Sequence, residues 1–486
     1  MKQILIVFLF LMNLIFSGCN RQRVLITVEL PDQPDVDLFY SEPIMGTIFL
    51  GFRDTLRANG TGKFEINLKI AQPSFISIWE SSFQNNVKLL VEPGNSYHVL
   101  MGLPKNIQIT GANAKGQMLY ATFPDDQGYI EIELRKLVNI YNDTIPFNTI
   151  HQQMNDLKES ELSKFNDLLI NKEISKPFFD LIQKDRDCYY TSLEAKFSII
   201  KTYRKAFRTD DKINDDLLSN LKKIYDQYPP YSENSLFSSF WYEFARDYII
   251  EYKQLTQSDF DVQKTQDLKK SGTYNTFVIN ESKKYLNGKA LEFFRARYIH
   301  NLCFQGSFEK ELISLFEQFE SDYLKSDYSK YLKPFINEIK KYHKIIEQPF
   351  DPAMLFMDKY ETINTLEDAL KPLQGKKIYI DVWATWCGPC KREFEHNEAL
   401  KKILAENDIQ QLYISLDTDE AEQAWKEMIK FYHLTGSHIR ANKEFRDNLV
   451  KQYNFIPWYI LVDESGKIIE KHAKSPSQLV AGEKLW

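Results

Sequence analysis

At 486 residues the chain exceeds what a single hydrophobic core ordinarily organises, so more than one domain is expected. A net charge of −6 leaves no basic footprint and argues against a chain built to hold nucleic acid. The 34 Phe and 27 Tyr are spread along the chain at helical or strand spacing, which is the pattern of core packing.

The amino terminus carries the first address. Met1-Lys2-Gln3 is a positive start, residues 4–16 form an apolar run of thirteen, and Phe16-Ser17-Gly18-Cys19 offers a small-residue cut site. A run of thirteen residues, one of them Asn13, is too short to span a bilayer comfortably. Cysteine directly after Ser-Gly resembles a bacterial lipobox, with Phe16 standing where leucine is usual. That resemblance implies a lipoprotein signal peptide over 1–18, a lipidated Cys19 and a soluble body facing the periplasm, with inner or outer membrane left open. The alternative is ordinary secretion with an incidental cysteine.

Residues 24–112 read as β structure. Lys63-Phe64-Glu65-Ile66-Asn67-Leu68-Lys69-Ile70 alternates strictly, and the run 87–91, apolar but for Lys88, leads into a turn at Glu92-Pro93-Gly94-Asn95 before 97–101 resume the pattern. A small antiparallel sandwich or barrel follows, with His98 as a strand residue and not a ligand. From 114 to 349 the pattern turns helical. Leu312, Leu315, Phe316, Phe319 and Tyr323 mark one apolar stripe, and Leu332, Phe335, Ile339, Tyr342 and Ile346 another. Pro229-Pro230 breaks the chain ahead of a helix start at Ser235, and no fixed-period repeat supports a solenoid. Gln348-Pro349-Phe350-Asp351-Pro352 reads as the linker into a last domain, 350–486.

In that domain the expected order is strand 377–383, helix 388–405, strand 411–416, helices 420–432 and 444–453, strands 458–463 and 467–471, and a short terminal helix. Asp463-Glu464-Ser465-Gly466 is a hairpin turn by composition. Alternating strands and helices closed by a hairpin give an α/β sandwich with a mixed sheet. Between the first strand and first helix stands Trp386-Cys387-Gly388-Pro389-Cys390. Two cysteines separated by two residues at a first helical turn can close a small ring, and unsatisfied helix N–H groups stabilise a thiolate on the leading sulfur. Cys387 is therefore the expected nucleophile and Cys390 the resolving thiol. Cys-x-x-Cys also serves as half of a zinc site, which needs two more ligands; His433 and His438 form an H-x4-H pair, but they lie more than forty positions downstream, far outside finger spacing.

The run Asp381-Val382-Trp383-Ala384-Thr385-Trp386-Cys387-Gly388-Pro389-Cys390-Lys391 resembles the active-site segment of the thioredoxin superfamily. Lys391-Arg392-Glu393-Phe394, and Leu412-Tyr413-Ile414-Ser415-Leu416-Asp417 followed by Trp425-Lys426, are similar to its membrane-tethered TlpA/ResA branch. The resemblance implies a reversible Cys387–Cys390 disulfide, a buried proton-handling Asp381, a catalytic Glu393 beneath the pair, and a cis Pro457 whose neighbours Ile456 and Trp386 meet substrate. Read from residues alone, Asp381 among apolar neighbours is a desolvated carboxylate, Glu393 equally suits a solvated helix face, and the alternative for Pro457 is an ordinary trans proline starting an edge strand. Phe455 stands where relatives often carry glycine. The turns at Asn59-Gly60-Thr61-Gly62, at Glu92-Pro93-Gly94-Asn95-Ser96 and at Ile109-Thr110-Gly111-Ala112-Asn113 look like the amino-terminal domain of exported thioredoxin-like lipoproteins.

The expectation is a multidomain chain with an all-β amino-terminal sandwich or barrel, an α-helical middle and a carboxy-terminal α/β thioredoxin fold. Its function would be a lipid-anchored thiol–disulfide oxidoreductase that reduces protein disulfides without cofactor or metal. The family likeness implies a membrane electron donor of the CcdA/DsbD kind, and apocytochrome c or a metal-delivery protein as recipient. Two rivals stand beside it. A peroxidase of the AhpC/peroxiredoxin class would use Cys387, although 381–386 holds neither a proline nor Thr-x-x-Cys spacing. A non-enzymatic partner-binding lipoprotein would use 24–349, with the last domain auxiliary. Cys188 and Cys303 are left over and are expected unpaired.

Overall fold

The computed structural model describes residues 22–82, 85–103, 106–123, 147–209, 215–232, 236, 238–256, 262–452 and 455–485. The signal segment 1–18, Cys19 and Ser235 lie outside the described residues. Two compact units emerge, one from residues 1–301 with 318–331, the other from 302–317 with 332–486. Among the described residues no helix is long and apolar enough to cross a membrane.

Eight strands open the first unit: β1 (Gln22–Glu29), β2 (Leu38–Ile44), β3 (Thr47–Leu56), β4 (Lys63–Ile70), β5 (Ser74–Glu80), β6 (Asn86–Val91), β7 (Ser96–Gly102) and β8 (Asn106–Gly111). They form two four-stranded sheets, ordered β4-β1-β7-β8 and β3-β2-β5-β6. The strict alternation of β4 places Phe64, Ile66, Leu68 and Ile70 inward, and they join Val24, Ile26 and Val28 of β1 in one core with Ile76, Ile78, Val87 and Leu89 of the second sheet. That shared core makes the domain a sandwich. At the β3–β4 turn Gly62 has a φ of +64°, and an added Cβ would lie 2.4 Å from the Leu30 carbonyl, so the close approach requires glycine. His98 on β7 hydrogen-bonds Thr27 Oγ1 at 2.9 Å, as befits a strand residue.

Helices Phe147–Ile170 and Lys176–Thr209 follow, and Phe165, Phe178 and Ile182 pack against Phe75 of β5, Leu90 of β6 and Tyr120. In the first unit this second sheet thus buries both faces, one in the sandwich and one beneath helices.

The second unit holds a six-stranded mixed sheet ordered β14-β13-β10-β11-β12-β9, with β9 (Met354–Phe356), β10 (Lys377–Trp383), β11 (Ile409–Ser415), β12 (Gly436–Arg440), β13 (Trp458–Val462) and β14 (Ile468–Glu470). Strands β10, β11, β12 and β9 run parallel to one another, whereas β13 is antiparallel to β10 and to β14. Every residue of β10 after Lys377 is buried, as a central strand requires.

Four features differ from the expected pattern. Strands β9 and β12 were not anticipated, because Gly436-Ser437-His438-Ile439-Arg440 has no apolar alternation. Ladders on both sides hold β12 in place, and the buried His438 bonds the Leu434 carbonyl at 2.8 Å and stacks on Tyr413. The expected helix 388–405 is interrupted by a 3₁₀ turn, Phe394–His396, between Gly388–Glu393 and Asn397–Glu406. The break expected at 348–352 is not where the units divide, since 302–317 and 332–346 pack with the mixed-sheet unit. Phe308 stacks on Tyr342 at 4.5 Å and meets Phe431 edge-on at 5.0 Å, while the Tyr342 hydroxyl donates to Glu427 at 2.7 Å. Within helix Ser329–Ile346 the core position belongs to Ile336 and not to Phe335, which is half-buried.

Candidate active site

The site begins where β10 ends. Ala384, Thr385 and Trp386 lead to Cys387, which occupies the N-cap of helix Gly388–Glu393 and accepts the Cys390 N–H on its Sγ at 3.1 Å. Pro389 fits the first turn because its missing N–H would be unpaired there anyway. The two sulfurs are bonded at 1.99 Å, with their Cα atoms 5.3 Å apart. Cys390 is wholly buried and Cys387 nearly so, at 4% exposed, which leaves the leading sulfur as the reachable one. In the reduced state the same helix end would stabilise negative charge on Cys387.

Strand pairing fixes what surrounds the sulfurs. Val382 of β10 faces Trp458 of β13, so Ile456 and the cis-bonded Pro457 lie just beyond that pair, at the strand end from which the cysteine helix departs. Trp386 and Phe455 are 68% and 69% exposed, so large apolar rings face solvent on both segments.

One register step back, Asp381 faces Tyr459 on β13 and Tyr413 on β11. It is 1% exposed and its Oδ1 has no hydrogen-bond partner. Burial pushes its carboxyl well above the usual range, and the charge of Glu393 adds to the shift. Glu393 is half-buried, and its carboxylate accepts the Ser477 N–H and hydroxyl, both at 2.9 Å, at the first turn of helix Pro476–Val480. The solvated-face alternative for Glu393 therefore does not describe this side chain.

Residues that pattern reading passed over also gather here. Asp417, buried beyond the end of β11, bonds Thr385, and the Lys391 ammonium donates to the Gly306 carbonyl at 3.3 Å. The available signal for Asp417 was a carboxylate closing an apolar strand, whereas nothing local pointed Lys391 at residues 85 positions away.

The two histidines weighed as metal ligands do not converge with the cysteines. His433 is half-exposed and pairs with Asp351 and Glu398, while burial holds the inward-facing His438 down to about 4. Among the described residues no group of three or more His, Cys, Asp or Glu is placed to hold a metal ion. Cys188 and Cys303 are free and buried, and burial pushes each thiol up to about 12. In the native reduced protein at pH 8, iodoacetamide is expected to label Cys387, with Cys188 and Cys303 labelled only after unfolding. Mass mapping that finds either one labelled in the folded chain would contradict that burial.

A central strand delivering a cysteine pair onto a helix end, flanked by a proline loop and underlain by a buried carboxylate, defines a thioredoxin-like redox domain. Comparison with known proteins agrees. Residues 358–481 match the Redoxin family. The thiol-disulfide oxidoreductase ResA of Bacillus cereus is 33% identical over 104 residues, covering 21% of this chain and 57% of that protein. The sporulation thiol-disulfide oxidoreductase A of Bacillus subtilis is 27% identical over 125 residues, covering 25% of this chain and 72% of that one. Among solved structures, a candidate thiol-disulfide oxidoreductase from Bacteroides vulgatus is 38% identical, covering 24% of this chain and 75% of that one, with a TM-score of 0.21. The chain thus spans little more than half the length of the ResA relatives. The carboxy-terminal domain is similar to the Redoxin family over 358–481 and to thiol-disulfide oxidoreductases of the ResA kind, which supports a TlpA/ResA-like, thioredoxin-type reading of that domain.

Proposed function

We propose that the chain is a thiol–disulfide oxidoreductase, anchored through a lipidated Cys19 and facing the periplasm, which reduces disulfides of protein substrates. The observation that carries the reading is the Cys387 sulfur at a helix N-cap, bonded to Cys390 and receiving its N–H. In the reduced enzyme the Cys387 thiolate attacks a substrate disulfide, forming one mixed disulfide and releasing the substrate's other sulfur as a thiolate. Cys390 then loses its proton to the Asp381 carboxylate and attacks Cys387, which frees the reduced substrate and regenerates the enzyme disulfide. Asp381 suits that transfer because its raised pKa gives the carboxylate the proton affinity the step needs. Ile456 offers backbone to an extended substrate, and Trp386 an apolar ring.

Gly388-Pro389 between the cysteines resembles the reducing thioredoxins and supports the reductive direction. In an oxidising compartment that direction requires an electron donor, for which the family likeness implies a membrane carrier of the CcdA/DsbD kind. The same likeness implies apocytochrome c or a metal-delivery protein as recipient. Equilibration of the full chain with glutathione tests direction: the expected midpoint is near thioredoxin's, about −270 mV, and one near the DsbA value, about −120 mV, would overturn the reductant assignment.

A further inference from the structure

The network beneath the turn that carries Cys387 has no counterpart in the chemistry above, and it rests on one carboxylate. Asp417 lies two residues past β11 and is wholly buried. Its Oδ2 accepts the Thr385 N–H at 2.9 Å and the Ser415 hydroxyl at 2.7 Å, and its Oδ1 accepts the Thr385 hydroxyl at 2.7 Å. Its own N–H donates to Ser415 Oγ at 3.1 Å, and its carbonyl accepts Arg446 Nη1 at 3.3 Å. The residue is therefore held from the strand behind it and from helix Lys443–Gln452.

What this assembly grips is the link between β10 and the cysteine helix. Parallel pairing sets Trp383 opposite Ser415, and the Leu416 N–H donates to the Trp383 carbonyl at 2.8 Å. The turn then closes on itself, with the Cys387 N–H on the Ala384 carbonyl at 3.0 Å. Thr385, the middle of that turn, gives both its N–H and its hydroxyl to Asp417. A buried ion costs several kcal/mol unless hydrogen bonds offset it, and here the hydrogen bonds on the carboxylate come from Ser415 and from the residue two positions before the nucleophile. Lys391, on the turn after Cys390, feels the same negative charge.

We propose that Asp417, acting through Thr385, is a positioning residue for the nucleophile: it locks the Ala384–Trp386 turn so that the Cys387 sulfur stays at the helix N-cap. This inference rests on the oxidoreductase reading. Releasing the turn lets the sulfur drift from the Cys390 N–H, which weakens thiolate stabilisation and misaligns attack, and small displacements at a reacting atom are costly. The charged groups around the turn include Asp417, Lys391, Glu338 acting on Lys391, Arg446 and, below the cysteines, Asp381 and Glu393. Thr385→Val deletes a bond without altering any of these charges.

The experiment compares wild type, Thr385→Val, Thr385→Ser and Asp417→Asn as reduced full-length chains. It measures the pH midpoint of Cys387 alkylation and the rate of attack on a model peptide disulfide. Thr385→Val is expected to attack about tenfold more slowly with a midpoint at higher pH, Asp417→Asn to slow attack likewise, and Thr385→Ser to stay within about twofold of wild type. If Thr385→Val folds with the wild-type midpoint and wild-type rate, the positioning role is wrong, whatever happens to its melting temperature. Should Asp417→Asn fail to fold, the Thr385 pair decides alone. A wild type that reduces no disulfide would instead defeat the oxidoreductase reading, and the alkylation midpoints would still judge the role of Asp417.

Discussion

Cys387→Ser will abolish disulfide exchange, and Cys390→Ser will leave the first attack intact but accumulate mixed disulfides with substrate. The asymmetry follows from geometry: Cys390 is wholly buried while Cys387 keeps a sliver of exposure at the helix N-cap, so only one sulfur can meet an outside disulfide. Loss of the nucleophile removes the entire covalent route, so turnover of a model protein disulfide should fall by about 10⁴-fold or more, to background. With Cys390→Ser, non-reducing gels of whole cells should show adducts that dithiothreitol dissolves, and mass spectrometry of those adducts names the substrates. Equal adduct yield from both single variants would contradict the order of attack. A Cys387→Ser, Cys390→Ser double variant that behaves as wild type in cells would favour the partner-binding alternative.

Asp381→Asn should stabilise the protein and slow it, with the stabilisation growing as pH rises. A carboxyl whose folded pKa lies above its unfolded value of about 3.9 contributes stability that is fully present below that value and lost as pH climbs through the folded pKa. Across that window the unfolded chain ionises freely while the folded chain must either hold the proton or bear a buried charge. Asparagine removes the ionisation and hence the pH-dependent loss. Thermal unfolding of full-length variant and wild type should therefore nearly coincide near pH 4 and separate at pH 8, with the variant higher. The same substitution removes the acceptor for the Cys390 proton, so decay of a preformed mixed disulfide should slow by about 10²-fold, the scale of a lost general base. A variant whose stability difference is the same at both pH values would show that Asp381 is not titrating against its burial.

Some elements could be read directly because one local pattern left no competitor. The strand expected at 377–383 is β10, Lys377–Trp383, since an apolar run ending in a breaker-rich turn has few alternatives. The turn at Asp463 is held by the Gly466 N–H on the Asp463 carbonyl at 3.0 Å and by the Asp463 side chain, interactions that span at most four residues. By contrast β12 looks like loop in isolation, because its strand conformation comes from neighbours on both edges. The stripes at 312–323 and 332–346 signalled buried faces without naming what covers them. Only the packing of Phe308, Tyr342 and Phe431 shows that part of the helical middle belongs to the redox unit.

The division at the site follows the same physics. Cys387 and Cys390 were legible because their chemistry needs only adjacency: two intervening residues, a preceding strand and a first helical turn. Whether Asp381 faces solvent, where the Glu393 carboxylate points and what holds Thr385 depend on groups dozens of positions away, namely Tyr459, Ser477 and Asp417. Short-range geometry and helix electrostatics are written in consecutive residues. Desolvation and long-range hydrogen bonding come into being only when separate segments are packed together, and so only the tertiary structure could decide them.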